Sequence, residues 1–272
     1  MNKRVISLCY HDVREKSEAV ITQEPRTARD LYALGRARFR EHLAAIQSSP
    51  AGQRVATTRA LGQADNSCVL FAFDDGAQCA LQYIADDLEH HGWRGHFFVT
   101  TSWISQPGFL DPSGIRELDR RGHVIGSHTV THPSRMSALS RRQLMAEWSD
   151  SCAALSDILG SPVDVASVSD GYYSRLVGET AAEAGIRFLF NSEPVTKVNE
   201  VDRCLVLGRF SIQQSTTAAE AAALANSRWL PRALQFAGWN SRKILKQIGG
   251  EHYLLVRSRL LQTLRSRQVS KT

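Results

Sequence analysis

Two stretches of this 272-residue chain carry side chains that could do chemistry together. Residues 121–133 read RGHVIGSHTVTHP, which places His128 and His132 four apart. Residues 73–76 read FDDG, two adjacent carboxylates at the end of an apolar run. Histidines at that spacing face the same way on a helical turn. Adjacent acids at a strand end project in different directions, so one can hold a metal while the other takes a proton. Each motif alone has a plainer reading. One Asp can cap the helix that follows, and a histidine pair at this spacing is at least as common on a surface as around an ion. Together they form a two-histidine, one-carboxylate set, which suits zinc or a similar divalent ion with a position left open for water. A bound ion lowers the pKa of its water towards neutrality, and an unligated carboxylate nearby can then act as general base.

The elements that would position these residues alternate in type. VISLCY (5–10) and CVLFAF (68–73) read as buried strands, and GHFFVTTSWI (95–104), HVIGSH (123–128), VDVASV (163–168) and IRFLFN (186–191) as further strands. Helical patterns lie between them in AQCALQYIADDLEHHG, SGIRELDRRG, SRRQLMAEWSDSCAALSDILG and SRLVGETAAEAG, with Ser140 as a cap and Gly92 and Gly160 as stops. Residues 14–66 read as a polar excursion with a helix near DLYALGRARFREHLAAIQ. This alternation predicts βαβ units and a parallel sheet, wound open or closed into a barrel. In such folds the C-terminal strand ends carry function, and FDDG sits at one. A boundary is expected in the polar stretch 215–228, giving a domain over 1–225 and a tail over 226–272.

Composition narrows the class. Five scattered cysteines, odd in number and without a C-x-x-C pair, exclude a disulfide framework and a cysteine zinc site, and read as reduced buried thiols of a cytosolic protein. The formal net charge is +6, yet residues 226–272 hold ten Lys or Arg against the single acid Glu251. The tail reads as two helices broken at Gly249–Gly250. As a basic amphipathic segment it can make peripheral contact with an anionic membrane, or pack its apolar face on the body with its charges in water. No recognition motif accompanies the charge, so nucleic acid is not an expected partner. The N-terminal MNKRVISLCYHDV is polar again by residue 11, too early for a signal-peptide core, and no run approaches the ~20 apolar residues of a membrane span. The expected location is the cytoplasm or a membrane surface.

The ordered set CYHDV, FAFDDG, GHFFVT, RGHVIGSHTVTHP, LSRRQLMAEWSDS and DGYYSRLVGETAAEAGIRFLFNSEP, spanning residues 4–212, resembles the polysaccharide deacetylases with a NodB-homology domain, the family-4-like carbohydrate esterases. The resemblance implies an α/β fold, a distorted (β/α) barrel of about seven strands, here with a C-terminal helical extension. It implies a hydrolase that removes acetyl groups from an N-acetylated or O-acetylated sugar or polysaccharide with a divalent metal, expected as Zn2+. Carried over by motif, Asp74 is the general base and Asp75, His128 and His132 are the metal ligands. Asp170, Gly171 and Tyr172 are candidates for the oxyanion hole and substrate contacts.

The chain departs from the family pattern at three places. Ser169 stands where the family has a proline, with Asp170 next to it, and Ser167 stands where many members have an arginine. VLGRFSI (206–212) lacks the late histidine that serves the family as general acid. The proton donor is then either protonated Asp74 or His11, which also reads as a core or turn histidine. Tyr172, Tyr173 and Trp103 follow strands and read either as sugar-stacking faces or as packing, while His90 and His91 read as helix-end residues. The expected function is deacetylation in exopolysaccharide or glycoconjugate metabolism. The alternatives are a catalytically impaired relative that binds glycan or a partner, and a metal-dependent amidase acting on a small non-sugar amide.

Overall fold

The two apolar runs that flank the excursion become neighbouring strands. β1 (Val5–Tyr10) and β4 (Cys68–Phe73) pair in parallel from Val5↔Cys68 to Tyr10↔Phe73. The computed structural model describes residues 4–15, 32–61 and 67–241. The segment between those strands includes β2 (Val13–Arg14), β3 (Leu34–Gly35) and the helix α1 (Arg36–Gln47). That helix starts later than its pattern suggests, because Leu34 and Gly35 pair with β2 in a small two-stranded sheet.

The main sheet has nine strands. After β4 come β5 (His96–Val99), β6 (Val124–Ser127), β7 (Val165–Ser167), β8 (Phe188–Phe190), β9 (Asn199–Val201), β10 (Cys204–Leu207) and β11 (Phe210–Ser211), in the spatial order β11-β1-β4-β5-β6-β7-β8-β10-β9. All neighbours are parallel except β9, which is antiparallel to β10. Setting aside the two short edge strands, β9 and β11, leaves the seven expected from the resemblance. The sheet curls until Val5 N–H donates to Thr196 O (3.0 Å) and Arg4 bridges Lys197, so the chain just before β9 meets the base of β1. The result is a half-closed (β/α) barrel.

Period-two alternation divides each strand between two cores. Cys68, Leu70 and Ala72 point into the barrel with Phe98, Val124, Val165, Phe190 and Leu207. Val69, Phe71 and Phe73 face the helix layer. That layer comprises α2 (Ala85–Glu89, entered through a π turn at Ala80–Ile84), α3 (Pro112–Arg120), α4 (Arg141–Leu159) and α5 (Arg175–Glu183). The stretch 95–104 is less extended than its pattern suggests. β5 stops at Val99, and Thr101–Trp103 form a 3-10 turn that places Trp103 beside the barrel mouth. Ser140 caps α4 in a reciprocal capping box, and Gly160 ends it in the left-handed conformation.

Residues 218–225 form α6 (Ala218–Ala225), which buries Ala221, Leu224 and Ala225. A further helix, α7 (residues 229–241), lies along the open edge strand β11, where Gln235 Nε2–H donates to Ser211 O at 3.0 Å. The expected second tail helix and the Gly249–Gly250 break lie outside the described residues. All five cysteines are buried and unbridged. No helix of the described residues is long and apolar enough to cross a membrane.

Candidate active site

The strand ends predicted to carry chemistry converge at one mouth of the barrel. β4 ends at Phe73, and Asp74 continues its line, donating its N–H to Tyr10 O at 3.3 Å. Asp75 (φ 79°) and Gly76 (φ 78°) then take left-handed conformations in succession. Glycine does so freely, whereas a residue with a Cβ is strained by roughly 1–2 kcal/mol there. The two adjacent carboxylates are thereby turned to different tasks, and both remain buried.

His128 and His132 converge as well, by a route other than the helical turn their spacing suggests. The loop between them is irregular, with Thr129 (φ 69°) and His132 (φ 55°) left-handed. Side chains and neighbouring loops fix that shape. Ser127 Oγ accepts from Thr129 N–H, and Thr129 Oγ1 accepts from His132 N–H, each at 3.1 Å. Thr101 and Ser102 N–H donate to Thr129 O and Val130 O. From α4, Glu147 accepts from Val130 N–H (2.8 Å), Thr131 N–H (3.0 Å) and Thr131 Oγ1–H (2.6 Å).

Three donor atoms face one another at this mouth. His128 Nε2 and His132 Nε2 lie 3.6 and 3.5 Å from Asp75 Oδ1. His128 Nδ1–H donates to Ser167 O (3.0 Å), which leaves the Nε2 lone pair aimed at the carboxylates. Burial pushes the His128 imidazole down to about 4, against the pull of Asp74, so it is neutral and able to donate its lone pair at pH 7. One donor atom from each of Asp75, His128 and His132 falls within 4.8 Å of the others, a set that fits a divalent ion in both chemistry and spacing. Trp103 stacks on His132 with ring centroids 5.1 Å apart.

Asp74 stands beside this set with a different partner. Arg209 Nη1 lies 2.7 and 2.8 Å from its two carboxylate oxygens, and the side chains of Arg209 and Asp74 are only 2% and 5% exposed. Burial by itself would raise the Asp74 pKa, but the Arg209 guanidinium outweighs it and holds the carboxyl well below the usual range. Arg209 Nε–H in turn donates to Asn191 O (2.9 Å). A buried cation is therefore present although Ser167 supplies none, in the link between β10 and β11. Sequence reasoning passed over Arg209, although a lone arginine inside the apolar run VLGRFSI was a usable signal, since a buried charge there requires a partner. Glu147 was missed too, because nothing in the sequence distinguishes it from other polar residues of an amphipathic helix.

Cys9, His11 and Asp74 also lie within 4.8 Å of one another. That trio does not fit a cation, because Arg209 already occupies Asp74 and burial pushes the Cys9 thiol far up, keeping it protonated. His11 stacks on Tyr32 (4.6 Å), and its Nδ1 is enclosed without a hydrogen-bond partner among the described residues. The departing third segment reaches the same mouth. Ser169 is buried and donates from Oγ to Pro133 O (2.9 Å), tying the segment to the residue after His132. Asp170 is exposed with φ 50°, while Gly171 (φ 69°) and Tyr172 are half-buried. Gly171 packs closely enough that a Cβ would lie 2.5 Å from Ser192 Oγ. Tyr173 packs against the helix-layer core, and His90 and His91 lie at the end of α2, outside both clusters.

Residues 62–189 match the family model described as polysaccharide deacetylase. This stretch, just under half of the chain, is similar to a polysaccharide deacetylase domain. It holds Asp74, Asp75, His128 and His132, while Arg209 and His11 lie outside the matched stretch. Over 149 residues, 55% of its length, the chain is 30% identical to a gellan lyase of Bacillus sp. and covers 6% of that protein. It spans less than half the length of the curated relatives it matches. Among solved structures it is similar to a polysaccharide deacetylase from Bacillus cereus (TM-score 0.68, 20% identity, 82% of this chain and 69% of that one). It is also similar to the Streptococcus pyogenes deacetylase PplD in complex with acetate (TM-score 0.63, 19% identity, 80% and 96%). At these identities the structural likeness establishes the fold, the (β/α) barrel.

Proposed function

We propose that this protein is a metal-dependent hydrolase that removes acetyl groups from an N-acetylated or O-acetylated sugar or polysaccharide, in exopolysaccharide or glycoconjugate metabolism. The observation that carries the reading is the juxtaposition at the barrel mouth. Two imidazoles and a carboxylate converge, and a separate carboxylate, kept ionised by a buried arginine, sits beside them.

Asp75, His128 and His132 would hold the metal, with zinc the expected ion. When bound, such an ion supplies Lewis acidity to an acetyl carbonyl and to a water. Asp74 accepts the proton of the attacking water as its oxygen bonds to the acetyl carbon. Arg209 keeps that carboxylate ionised and fixed between turnovers. The backbone of the Asp170–Tyr172 turn is the candidate donor to the developing oxyanion. The C–N or C–O bond then breaks, and the departing amine or hydroxyl takes a proton. Two groups can give it: Asp74, which has just gained one, and His11, whose ring lies beside Asp74 with Nδ1 uncommitted. Trp103, stacked on His132 beside the mouth, offers an aromatic face for a sugar ring.

The test is acetate release from a panel of acetylated mono- and oligosaccharides, in metal-replete buffer and after chelation. Chelation is expected to abolish release and readdition of metal to restore it. Asp74→Asn is expected to retain metal but not turn over. Release unaffected by either treatment would refute the mechanism. Sugar binding without release would favour a glycan-binding role, and ammonia from a non-sugar amide would favour an amidase.

A further inference from the structure

Helix α7 packs the wrong way round for a helix on a soluble body. Two of its polar side chains reach inward: Gln235 reaches Ser211 O, and Arg232 reaches Ser227 Oγ (2.9 Å) and Thr196 Oγ1 (3.4 Å) while lying over the Phe210 ring. Four of its five large apolar side chains face outward, Trp239 being half-buried. Trp229 is 74% exposed, Leu234 67%, Leu230 53% and Phe236 41%. At the α-helical repeat these four fall within an arc of about 160°, and Gln235 lies diametrically opposite. They are the exposed large hydrophobic residues of the described chain. A face of this kind marks an interaction site.

Cations flank the same face. Arg228 precedes Trp229 and is exposed. Arg232 rises from the inner side towards Thr196. Lys197, next to Thr196, forms a backbone bridge with Arg4, and both are exposed. None of these four cations makes an ion pair with a described residue. The sequence beyond continues the bias, with eight bases and one acid over residues 242–272.

We propose that the outward face of α7, with the exposed Arg4, Lys197 and Arg228 around it, is a docking surface for an anionic lipid bilayer. Apolar side chains enter the acyl boundary while the cations meet phosphate headgroups, so both features are used at once. A second copy of the chain fits the surface less well, because an isologous contact would set the same unpaired cations against each other. The geometry also leaves the site accessible. Arg4 and Lys197 lie at the base of β1, whereas Asp74 lies beyond its other end, roughly 20 Å away at the strand rise. The active-site mouth therefore opens away from the cationic end of the docking surface.

The test uses the full chain with vesicles of phosphatidylcholine, either pure or with roughly one lipid in three replaced by phosphatidylglycerol. Co-sedimentation is expected with the anionic vesicles and not with the neutral ones. The pair Trp229→Ser with Leu234→Ser is expected to lower the partition coefficient by about tenfold or more, and Arg4→Ser and Lys197→Ser by about fivefold each. These side chains are exposed, and metal content measured on the same samples reports an intact site. A second reading needs no loss-of-binding variant: brominated anionic lipid should quench wild-type tryptophan emission, and Trp229→Phe should remove most of that quenching. The proposal is overturned by equal binding to both vesicle types, by no binding, or by binding that these substitutions leave unchanged. It is also overturned if the apolar pair instead abolishes a concentration-dependent dimer. None of these outcomes bears on acetate release, so the lipid surface and the deacetylase reading stand or fall separately.

Discussion

Removing the cation from the Asp74–Arg209 pair should be among the most damaging single changes in the barrel. Both side chains are nearly inaccessible, and one Nη1 serves both carboxylate oxygens at 2.7 and 2.8 Å. Arg209→Met fills a similar volume but leaves Asp74 ionised and buried with its main counter-charge gone. Losing one partner of such a pair costs about 3–5 kcal/mol, against about 0–1 kcal/mol for an exposed pair. Asp74→Asn alone strands Arg209 in the same way. The double variant buries neither charge, so its loss should fall short of the sum of the single losses by about 2 kcal/mol or more. Urea denaturation of the four proteins at pH 7 measures this cycle. A coupling below about 1 kcal/mol would mean that the pair behaves as a solvated surface contact. The reasoning about how Asp74 is held would then be wrong. Acetate release supplies the functional side: Arg209→Met is expected to lower kcat with metal content retained, because Arg209 contacts the base and none of the three convergent donors.

Other perturbations reach the site through the elements that hold it. Glu147→Ala removes three hydrogen bonds from the loop between His128 and His132, so metal affinity should fall about tenfold or more, with Glu147→Gln retaining part of it; unchanged affinity in competition titrations would remove Glu147 from that role. In β6, Gly126→Ala would set a Cβ 2.6 Å from Phe98 Cδ1 and 2.8 Å from Val165 O, overpacking the barrel interior at a cost of about 1–3 kcal/mol; a neutral result in thermal unfolding would contradict this. Acid should also destabilise the fold. Burial pushes His96 down to about 4, and its Nε2 accepts from Thr58 N–H at 3.0 Å while Nδ1–H donates to Phe71 O, so a second ring proton has no place. The unfolded chain takes up that proton first, so the stability due to neutral His96 is complete above pH ~6.5 and is lost as pH falls towards 4, by roughly 3 kcal/mol in all. His96→Gln should flatten the dependence of urea midpoint on pH in that window, and an unchanged slope would refute the assignment.

Much of the fold was legible because the strands are short apolar runs closed by clear signals. Cys68–Phe73 is apolar to the residue before Asp74, and the capping box at Ser140 and left-handed Gly160 bracket α4 as their side chains dictate. The convergence of Asp75, His128 and His132 was legible as a combination of residue types, while its geometry was not. Spacing suggested a helical turn, yet the loop is shaped by Ser127, Thr129 and Glu147, whose contacts depend on tertiary placement. The shortened β5 has the same origin, since the chain from Thr101 turns to brace that loop. Arg209 was less legible because a lone arginine in an apolar run implies a buried partner without saying which, and Asp74 lies 135 residues away in the sequence. For α7, the sequence left open whether its apolar side packs inward; the hydrogen bonds of Arg232 and Gln235 to the body turn it outward.

The central claim, that the convergent side chains form a metal site, is tested most directly by metal content. Wild type and His132→Ala are dialysed against zinc, freed of unbound ion and analysed for metal per chain, with folding checked by urea midpoint. About one ion per chain in the wild type and almost none in a folded His132→Ala is the expected result. No retained ion in the wild type, or equal content in both, would contradict the account at its root.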